Sequence, residues 1–244
     1  MALLEIEHLS KSFGGIHAVE DCSFAVEAGT ITALIGPNGA GKTTVFNMIT
    51  GLHKPDAGAI RFDGQRIDGL PPHRITRKGI ARTFQISRDL AGLSVLENVV
   101  VQSQAGGLLH LLQPSMSPAE RDRAMDLLAF VGIAELAREP AAKLSYGQKK
   151  LMELAACLMA GPRLVLLDEP AGGINPALLE VIVDRVRRLR ADGVTFLIVE
   201  HNMDVVMSVC DPVVVMAYGK FLAHGPPAAI QNDAAVLEAY LGVA

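Results

Sequence analysis

The chain has 244 residues, enough for one large domain or for one domain with an inserted segment. Half of its residues are apolar and a fifth are charged, a composition that excludes an intrinsically disordered chain. With 22 basic and 26 acidic residues the formal net charge is −4, so no overall positive field attracts the chain to nucleic acid or anionic lipid.

Three cysteines, Cys22, Cys157 and Cys210, lie far apart in the sequence. This spacing favours neither a zinc site nor a disulfide framework, and we expect small buried thiols in a reducing compartment. The N-terminal residues lack the basic and apolar stretches of an export signal, and no run of about 18 apolar residues is present that would cross a bilayer. These features predict a cytoplasmic protein.

The N-terminal quarter of the chain reads as short strands of an antiparallel layer around one buried strand. Apolar and acidic residues alternate over 4–7, and the strand pattern at 59–62 runs into an Asp-Gly turn pair. Between them, the apolar run 30–35 leads into a glycine-rich loop, after which apolar residues recur at helical spacing from Val45. Strand, glycine loop and helix are therefore expected in succession.

Between residues 87 and 161 the apolar periodicity becomes helical, and 99–101 is the one strand candidate. Ser117, followed by proline and then by Glu120, predicts the start of one helix. Ser145 and Gln148 form the S-x-x-Q pattern of a capping box, which predicts another helix start whatever the chain does. We therefore expect a helical insertion.

After residue 161 the pattern alternates between strands and helices again. Apolar strands are predicted at 164–167, 194–199 and 213–216, with a helix over 176–190 and a terminal hairpin and helix. Near-continuous apolar strands separated by helices are typical of a parallel sheet covered on both faces. The expected fold is one α/β domain over 1–244, with a core at 1–86 and 162–244 and a helical subdomain at 87–161.

The segment 36–43 matches the phosphate-loop pattern G-x-x-x-x-G-K-[ST] in the strand, loop and helix context that the pattern requires. Glycines let successive backbone N–H groups surround phosphate oxygens, and the helix N-terminus adds partial positive charge. Lys42 is predicted to neutralise the outer phosphates and Thr43 to ligate Mg²⁺. The predicted nucleotide-binding residues of this loop are Gly36, Pro37, Asn38, Gly39, Ala40, Gly41, Lys42, Thr43 and Thr44.

Two further strand ends carry candidate catalytic groups. The strand at 164–167 ends in Asp168, predicted to hold Mg²⁺, and in Glu169, predicted to orient or deprotonate the attacking water. The strand at 194–199 ends in Glu200-His201, where the imidazole is positioned to contact a terminal phosphate. These residues predict hydrolysis of a nucleoside triphosphate with Mg²⁺ as cofactor.

Two clusters of basic residues are interpreted as solvated surface charge. The first lies at the end of the predicted helix over 176–190, where the helix dipole favours cations. The second precedes Gln85 and is not assigned to nucleic-acid binding, because the chain is acidic overall. The clusters are Arg185, Arg187, Arg188 and Arg190, and His73, Arg74, Arg77, Lys78 and Arg82.

With these motifs in order, the chain resembles the nucleotide-binding subunits of ATP-binding cassette (ABC) transporters over essentially its whole length. The resemblance implies a phosphate-loop (RecA-like) fold in which Phe13 stacks on adenine and Gln85 senses Mg²⁺ and the attacking water. The segment 144–148, Leu-Ser-Tyr-Gly-Gln, is similar to the family's signature sequence. By resemblance, Ser145, Gly147 and Gln148 contact ATP held by a second ATPase subunit.

Two segments depart from the usual family pattern. Tyr146 replaces the first glycine of the signature, and residues 172–175 read Gly-Gly-Ile-Asn where Ser-Ala-Leu-Asp is common. Both variants, together with the segments 79–85 and 239–242, are similar to those of the ATPases of branched-chain amino acid importers. The resemblance therefore implies a subunit on the inner face of the membrane that powers import through separate permease subunits, in a homodimer or a paralogous heterodimer, with a solute-binding protein as an indirect partner. It also implies that the permease subunits dock on residues 87–101, where Leu90, Leu93, Val95 and Leu96 are apolar.

Three alternatives stay open at this point. The first is a lipopolysaccharide-export ATPase, because those ATPases are closely related to the importer ATPases that the chain resembles. A soluble cassette ATPase of DNA repair or translation typically carries long coiled-coil insertions or tandem cassettes, which this chain lacks. A regulatory module that binds ATP without hydrolysing it is disfavoured by the presence of both Glu169 and His201.

Overall fold

The structure is a computed structural model that describes residues 1–83, 90–103 and 116–241. The strands of these residues are β1 (Ala2–Phe13), β2 (Ile16–Glu27), β3 (Ile31–Ile35), β4 (Ala57–Phe62), β5 (Gln65–Arg66), β6 (Ile80–Arg82), β7 (Leu164–Asp168), β8 (Thr195–Val199), β9 (Val213–Ala217) and β10 (Lys220–Gly225). The helices are α1 (Lys42–Ile49), α2 (Pro72–Arg77), α3 (Val95–Val100), α4 (Pro118–Val131), α5 (Tyr146–Met159), α6 (Pro176–Ala191), α7 (Met203–Val209), α8 (Pro227–Gln231) and α9 (Ala234–Leu241).

The expected antiparallel layer is present as a sheet of order β2-β1-β4-β5. Its strands pair through apolar partners such as Leu4 with Phe62 and Ile6 with Ile60. β1 and β2 are longer than the short strands predicted, at 12 residues each. Apolar and polar residues stop alternating in the middle of these strands, which in the sequence resembles a strand end. Shifts in register keep the two strands paired there, so both continue.

A second sheet has the order β10-β9-β3-β8-β7-β6, in which β9, β3, β8, β7 and β6 pair in parallel. All five residues of β3, β7, β8 and β9 are buried, as expected for a parallel sheet covered on both faces. β6 was not anticipated, because three residues are too few to show a pattern. The α/β fold predicted from the sequence is confirmed by these sheets.

The two faces of the parallel sheet contribute to two different apolar cores. On one face, Ile35, Leu167 and Ile198 pack with the helices α3 to α6. On the other face, alternate residues such as Leu34 and Leu166 pack with α1 and the antiparallel sheet. Successive side chains of a strand point to opposite faces, so both must be apolar when both faces are covered.

The helix starts at Ser117 and Ser145 are confirmed, since each serine forms a capping box with the residue three positions later. The strand candidate at 99–101 is wrong, because Val99 and Val100 lie in α3. A third capping box, between Ser94 and Glu97, begins that helix, and its valines form the buried face. A short apolar run does not by itself distinguish a buried helix face from a strand.

The arginine cluster of α6 is only partly a solvated face. Arg185 lies over the ring of Phe130 at 5.4 Å and pairs with Asp184 at 2.6 Å, so its side chain is mostly covered. Arg188 is exposed and pairs with the same aspartate, as expected at the end of a helix. In the described parts of the chain, no helix is both long and apolar enough to cross a bilayer.

All three cysteines are free, as the sequence predicts. Cys22 and Cys210 are buried, Cys157 is partly buried, and burial raises the pKa of each thiol to about 12. Because the thiolate is the nucleophile, we expect iodoacetamide at pH 8 to modify these thiols at least about 100-fold more slowly in the folded protein than in urea. Mass spectrometry of timed samples measures this ratio, and rapid labelling of the folded chain would contradict it.

Candidate active site

The loop between β3 and α1 has a backbone that only glycine fits at two positions. A Cβ atom on Gly36 would lie 2.0 Å from the Met216 carbonyl oxygen, and one on Gly41 would lie 2.4 Å from the Ala18 carbonyl oxygen. Both residues also have positive φ angles. The glycines of the predicted phosphate loop therefore let it pass close to β2 and β9, while Asn38 and Gly39 remain exposed at its tip.

Lys42, the first residue of α1, holds its ammonium group under this loop. Its side chain is 6% exposed, and Nζ donates hydrogen bonds to the carbonyl oxygens of Gly36 at 2.7 Å and Pro37 at 3.0 Å. Burial lowers the pKa of Lys42, while the charges of Glu169 and Asp168 act in the opposite direction. Both direct hydrogen-bond partners are neutral carbonyl groups, so a phosphate group would add a charge-assisted partner for the ammonium group.

The N-terminus of α1 is suited to an anion. Gly41 at the N-cap provides no side-chain cap, and the first turn contains no acidic residue. The first N–H groups of a helix otherwise lack intrahelical acceptors, and the helix dipole favours negative charge there. Thr43 is exposed and Thr44 partly exposed in this turn.

Asp168, the last residue of β7, is 2% exposed and forms an ion pair with Arg82 at 2.8 Å. The interpretation of Arg82 as surface charge is therefore wrong, since its side chain is 7% exposed. Arg82 also donates to Asn47 Oδ1 at 2.7 Å and lies over the ring of Phe46 at 5.4 Å. Arg82 thus connects the end of β7 to α1. The sequence did not indicate this role, because Arg82 follows several other basic residues.

Glu169 and His201 follow two adjacent strands, β7 and β8, and their side chains are brought together. Glu169 Oε1 lies 3.1 Å from His201 Nε2, and both side chains are partly exposed. Glu169 has a left-handed backbone with φ of 49°, and its N–H donates to the Val199 carbonyl at 2.9 Å. A carboxylate and an imidazole in contact at an open strand end can exchange a proton with water.

The donors expected for Mg²⁺ are the Thr43 hydroxyl and the Asp168 carboxylate, both hard oxygen ligands of the kind that this ion prefers. Within the described residues, no group of three His, Cys, Asp or Glu side chains forms a metal cluster. Mg²⁺ is usually held by one or two protein ligands together with substrate phosphates and water, so this small donor set fits it. Gln85, the third predicted ligand, lies outside the described residues.

Phe13 lies at the end of β1 with its ring 42% exposed. It contacts His53 edge-to-face at a centroid distance of 5.2 Å, and Lys11 Nζ lies 5.4 Å from its centre. The open face of the ring leaves room for a flat group, as stacking on adenine requires.

The signature residues begin α5. Ser145 Oγ accepts from the Gln148 N–H at 3.3 Å, and Gln148 Oε1 accepts from the Ser145 N–H at 2.9 Å. Gly147 has a packing role, because a Cβ atom there would lie 2.2 Å from Leu178 of α6. The signature residues thus hydrogen-bond to each other, and Ser145 is exposed at the helix start.

The two departures from the family pattern lie against each other. The ring of Tyr146 reaches Gly173, where a Cβ atom would lie 3.1 Å from the tyrosine Cε1. Gly173 has a φ of 71°, which also favours glycine. The tyrosine in the signature therefore occupies space beside the segment that follows Glu169.

A phosphate loop between β3 and α1, with two acidic residues at the end of a strand in the same parallel sheet, defines a phosphate-loop nucleoside triphosphatase. Comparison with known families makes this assignment more specific. The model of the ABC transporter family matches residues 19–172, and that of the branched-chain amino acid ATP-binding cassette transporter matches residues 222–244. The chain belongs to the ABC transporter family, and it is an ATPase of that family.

Individual relatives agree with this family assignment. The chain is 41% identical to BraF of Pseudomonas aeruginosa, a high-affinity branched-chain amino acid transport ATP-binding protein, over 99% of this chain and 98% of BraF. An ATP-binding cassette of an ABC transporter, solved in an ADP conformation, superposes with a TM-score of 0.89 at 34% identity, covering 99% of both chains. A bacterial ABC transporter cassette solved as a dimer has a TM-score of 0.80 at 25% identity, covering 92% of this chain and 98% of that one.

The ion pair between Arg82 and Asp168 leads to a stability prediction. Arg82→Met leaves a buried carboxylate uncompensated, so we expect it to destabilise the nucleotide-free protein by roughly 3 kcal/mol. Arg74→Met, an exposed member of the same basic cluster, should cost less than about 0.5 kcal/mol. Adding Asp168→Asn to Arg82→Met should restore part of the loss.

Urea denaturation of the four proteins measures these differences. Equal midpoints for Arg82→Met and Arg74→Met would show that the ion pair does not stabilise the fold.

Proposed function

We propose that this chain is the ATP-hydrolysing subunit of an importer for branched-chain or related hydrophobic amino acids. The observation that carries the proposal is the match of residues 222–244 to the branched-chain amino acid transporter model, together with 41% identity to BraF over 99% of the chain. The same observation favours import over lipopolysaccharide export and over DNA repair or translation. The chain would lie on the cytoplasmic face of the membrane, attached to permease subunits. A solute-binding protein would deliver the amino acid to those subunits.

In the proposed site, adenine stacks on Phe13 and the phosphates lie on the loop 36–44. Lys42 neutralises the outer phosphates, since its ammonium group is already buried beneath the loop. Mg²⁺ bound to ATP would be held by Thr43 and Asp168, with Gln85 completing the predicted set, and would withdraw charge from the phosphates. Glu169 orients and deprotonates the attacking water, and His201 contacts the terminal phosphate.

Each such site is completed by a second ATPase subunit. Ser145, Gly147 and Gln148 would contact ATP bound to that partner, and the exposed, capped start of α5 is suited to an anion. The similarity to a cassette solved as a dimer supports this arrangement. In this proposal residues 87–161 form the helical subdomain that carries the signature to the partner.

The permease subunits are proposed to bind in a groove between the parallel sheet and α3 and α5. The groove has a volume of about 240 Å³, and its apolar lining includes Leu52, Ile75, Leu90, Val101 and Met152. Leu90 and Val101 are exposed, which suits the docking segment expected near 87–101. Val95 was also expected to contact the permease subunits, and that expectation is wrong because Val95 is fully buried.

Photo-crosslinking tests the groove. We expect a benzophenone amino acid at Leu90 or Val101 to crosslink to the permease subunits in the assembled transporter. The matched control is Tyr218, which is also exposed but lies in the β9–β10 turn at the opposite edge of the parallel sheet. Equal crosslinking from Tyr218, or none from either groove position, would contradict this docking site.

A site that needs both subunits, here called the composite site, predicts a variant that still forms the ATP-bound dimer but no longer hydrolyses ATP. Glu169→Gln removes the proposed base but keeps its shape, so we expect hydrolysis to fall by about 10²–10⁴-fold while ATP still binds. Closed dimers of twice the 25.9 kDa chain mass should then accumulate with Mg-ATP, as measured by light scattering. Adding Ser145→Arg should abolish the dimer, because bulk and charge then occupy the partner's phosphate position.

The test is run with the chain alone and with any paralogous ATPase of the same transporter. Lys42→Ala, combined with Glu169→Gln, serves as the control without tight ATP binding. A Glu169→Gln protein that stays monomeric in both mixtures, while wild type hydrolyses ATP at a concentration-independent specific rate, would overturn the composite site.

A further inference from the structure

Glu200 is a buried acidic residue to which the sequence analysis gave no role. It directly follows β8, its side chain is 2% exposed, and it precedes His201. Burying an ionised carboxylate is unfavourable unless hydrogen bonds replace its lost hydration. Its hydrogen-bond partners therefore indicate what the carboxylate does.

Three backbone N–H groups donate to this carboxylate. Oε1 accepts from Ala171 at 2.7 Å, and Oε2 accepts from His201 at 2.7 Å and Asn202 at 2.9 Å. Ala171 lies two residues after Glu169, whereas the other two donors belong to the segment that carries the imidazole. One side chain thus joins the two segments that follow β7 and β8.

The backbone of Glu169 needs such support. Its φ of 49° is unfavourable for a residue with a side chain, and it persists only where surrounding contacts hold it. Its N–H donates to the Val199 carbonyl at 2.9 Å, and its own carbonyl accepts from Gly172 at 3.0 Å. The bond from Ala171 to Glu200 is a further contact that holds the same turn.

Helix capping does not account for this arrangement. The N-cap of α7 is Asn202, whose Oδ1 accepts from the N–H groups of Asp204 at 3.0 Å and Val205 at 3.3 Å. The Glu200 carboxylate also reaches across to Ala171, which α7 does not require.

We infer that Glu200 is a positioning residue for ATP hydrolysis: its carboxylate holds the turn after Glu169 against the segment of His201, so that both side chains face the same volume. The inference rests on the roles proposed above for Glu169 and His201. Glu200 itself does not contact the reacting atoms. It acts through the backbone to which the two reactive side chains are attached.

The chemistry of the carboxylate identifies the informative substitution. Both oxygens accept from N–H groups, so the amide nitrogen of Glu200→Gln faces an N–H donor in either orientation and one side of the connection is lost. Glu200→Asp keeps the charge and both acceptors on a side chain shorter by one methylene. The matched control is Asn202→Ala, which removes the cap of α7 but retains the N–H that donates to Glu200.

Steady-state hydrolysis by the full-length protein, at a concentration where wild type is dimeric, is the first measurement. We expect Glu200→Gln to lower kcat by at least about tenfold, because small displacements of catalytic groups are costly. The KM for ATP should stay within about twofold, since the phosphate loop is untouched. Asn202→Ala should keep the wild-type kcat although it loses thermal stability.

Amide NMR of the nucleotide-free chain gives a readout that does not depend on hydrolysis. In wild type the amide protons of Ala171 and His201 should be shifted downfield by their bonds to a carboxylate, and Glu200→Gln should move at least one of them upfield. Wild-type kcat in Glu200→Gln, or amide shifts that do not change, would overturn the inference. If Glu200→Gln does not fold, Glu200→Asp replaces it. Its shorter side chain should also lower kcat and move at least one of the two amide signals, and wild-type values of both would overturn the inference.

Failure of the underlying proposal would look different. Wild-type hydrolysis by Glu169→Gln and His201→Ala would show that these residues lack the proposed roles, whatever Glu200 does. If those two variants are inactive while Glu200→Gln is as active as wild type, only the positioning role is wrong.

Discussion

Parallel hydrogen bonding between β3, β8 and β7 places the residues of the proposed nucleotide site together, because the carboxyl ends of parallel strands meet at one edge of a sheet. β3 ends at the phosphate loop, β7 at Asp168 and Glu169, and β8 beside Glu200. These strands are buried on both faces, so their alignment is held by two apolar cores as well as by the main chain. A shift of one strand would move the proposed site residues at its end away from the others.

That edge concentrates charge, and the protein compensates each buried charge differently. Lys42 has neutral carbonyl partners, Asp168 has the guanidinium of Arg82, and Glu200 has three backbone N–H groups. In the first arrangement the direct hydrogen-bond partners of the ammonium group are neutral and the carboxylates of Glu169 and Asp168 act on it from further away, which suits a phosphate ligand. The carboxylates of Asp168 and Glu200 have their compensating partners within the chain. They therefore stabilise the local structure and contribute to fixing the position of Glu169.

The contact between Tyr146 and Gly173 relates the two departures from the family pattern to each other. A larger residue at position 173 would crowd the tyrosine ring and would also be strained by its backbone conformation. Gly173 and Tyr146 are therefore sterically complementary. Through this contact the start of α5 lies against the segment whose Ala171 donates to Glu200. The signature residues and the proposed catalytic end of β7 are therefore neighbours within one chain.

The sequence by itself determined the features that depend on neighbouring residues: the phosphate loop, the capping boxes at Ser117 and Ser145, and the doubly buried strands. Turn geometry, capping and periodicity act within a few residues, so they can be read without a fold. The ion pair of Arg82 with Asp168 spans 86 positions, and the bond from Ala171 to Glu200 spans 29. Only the tertiary structure decided these, because they depend on which strands are adjacent, and strand order is set by long-range packing.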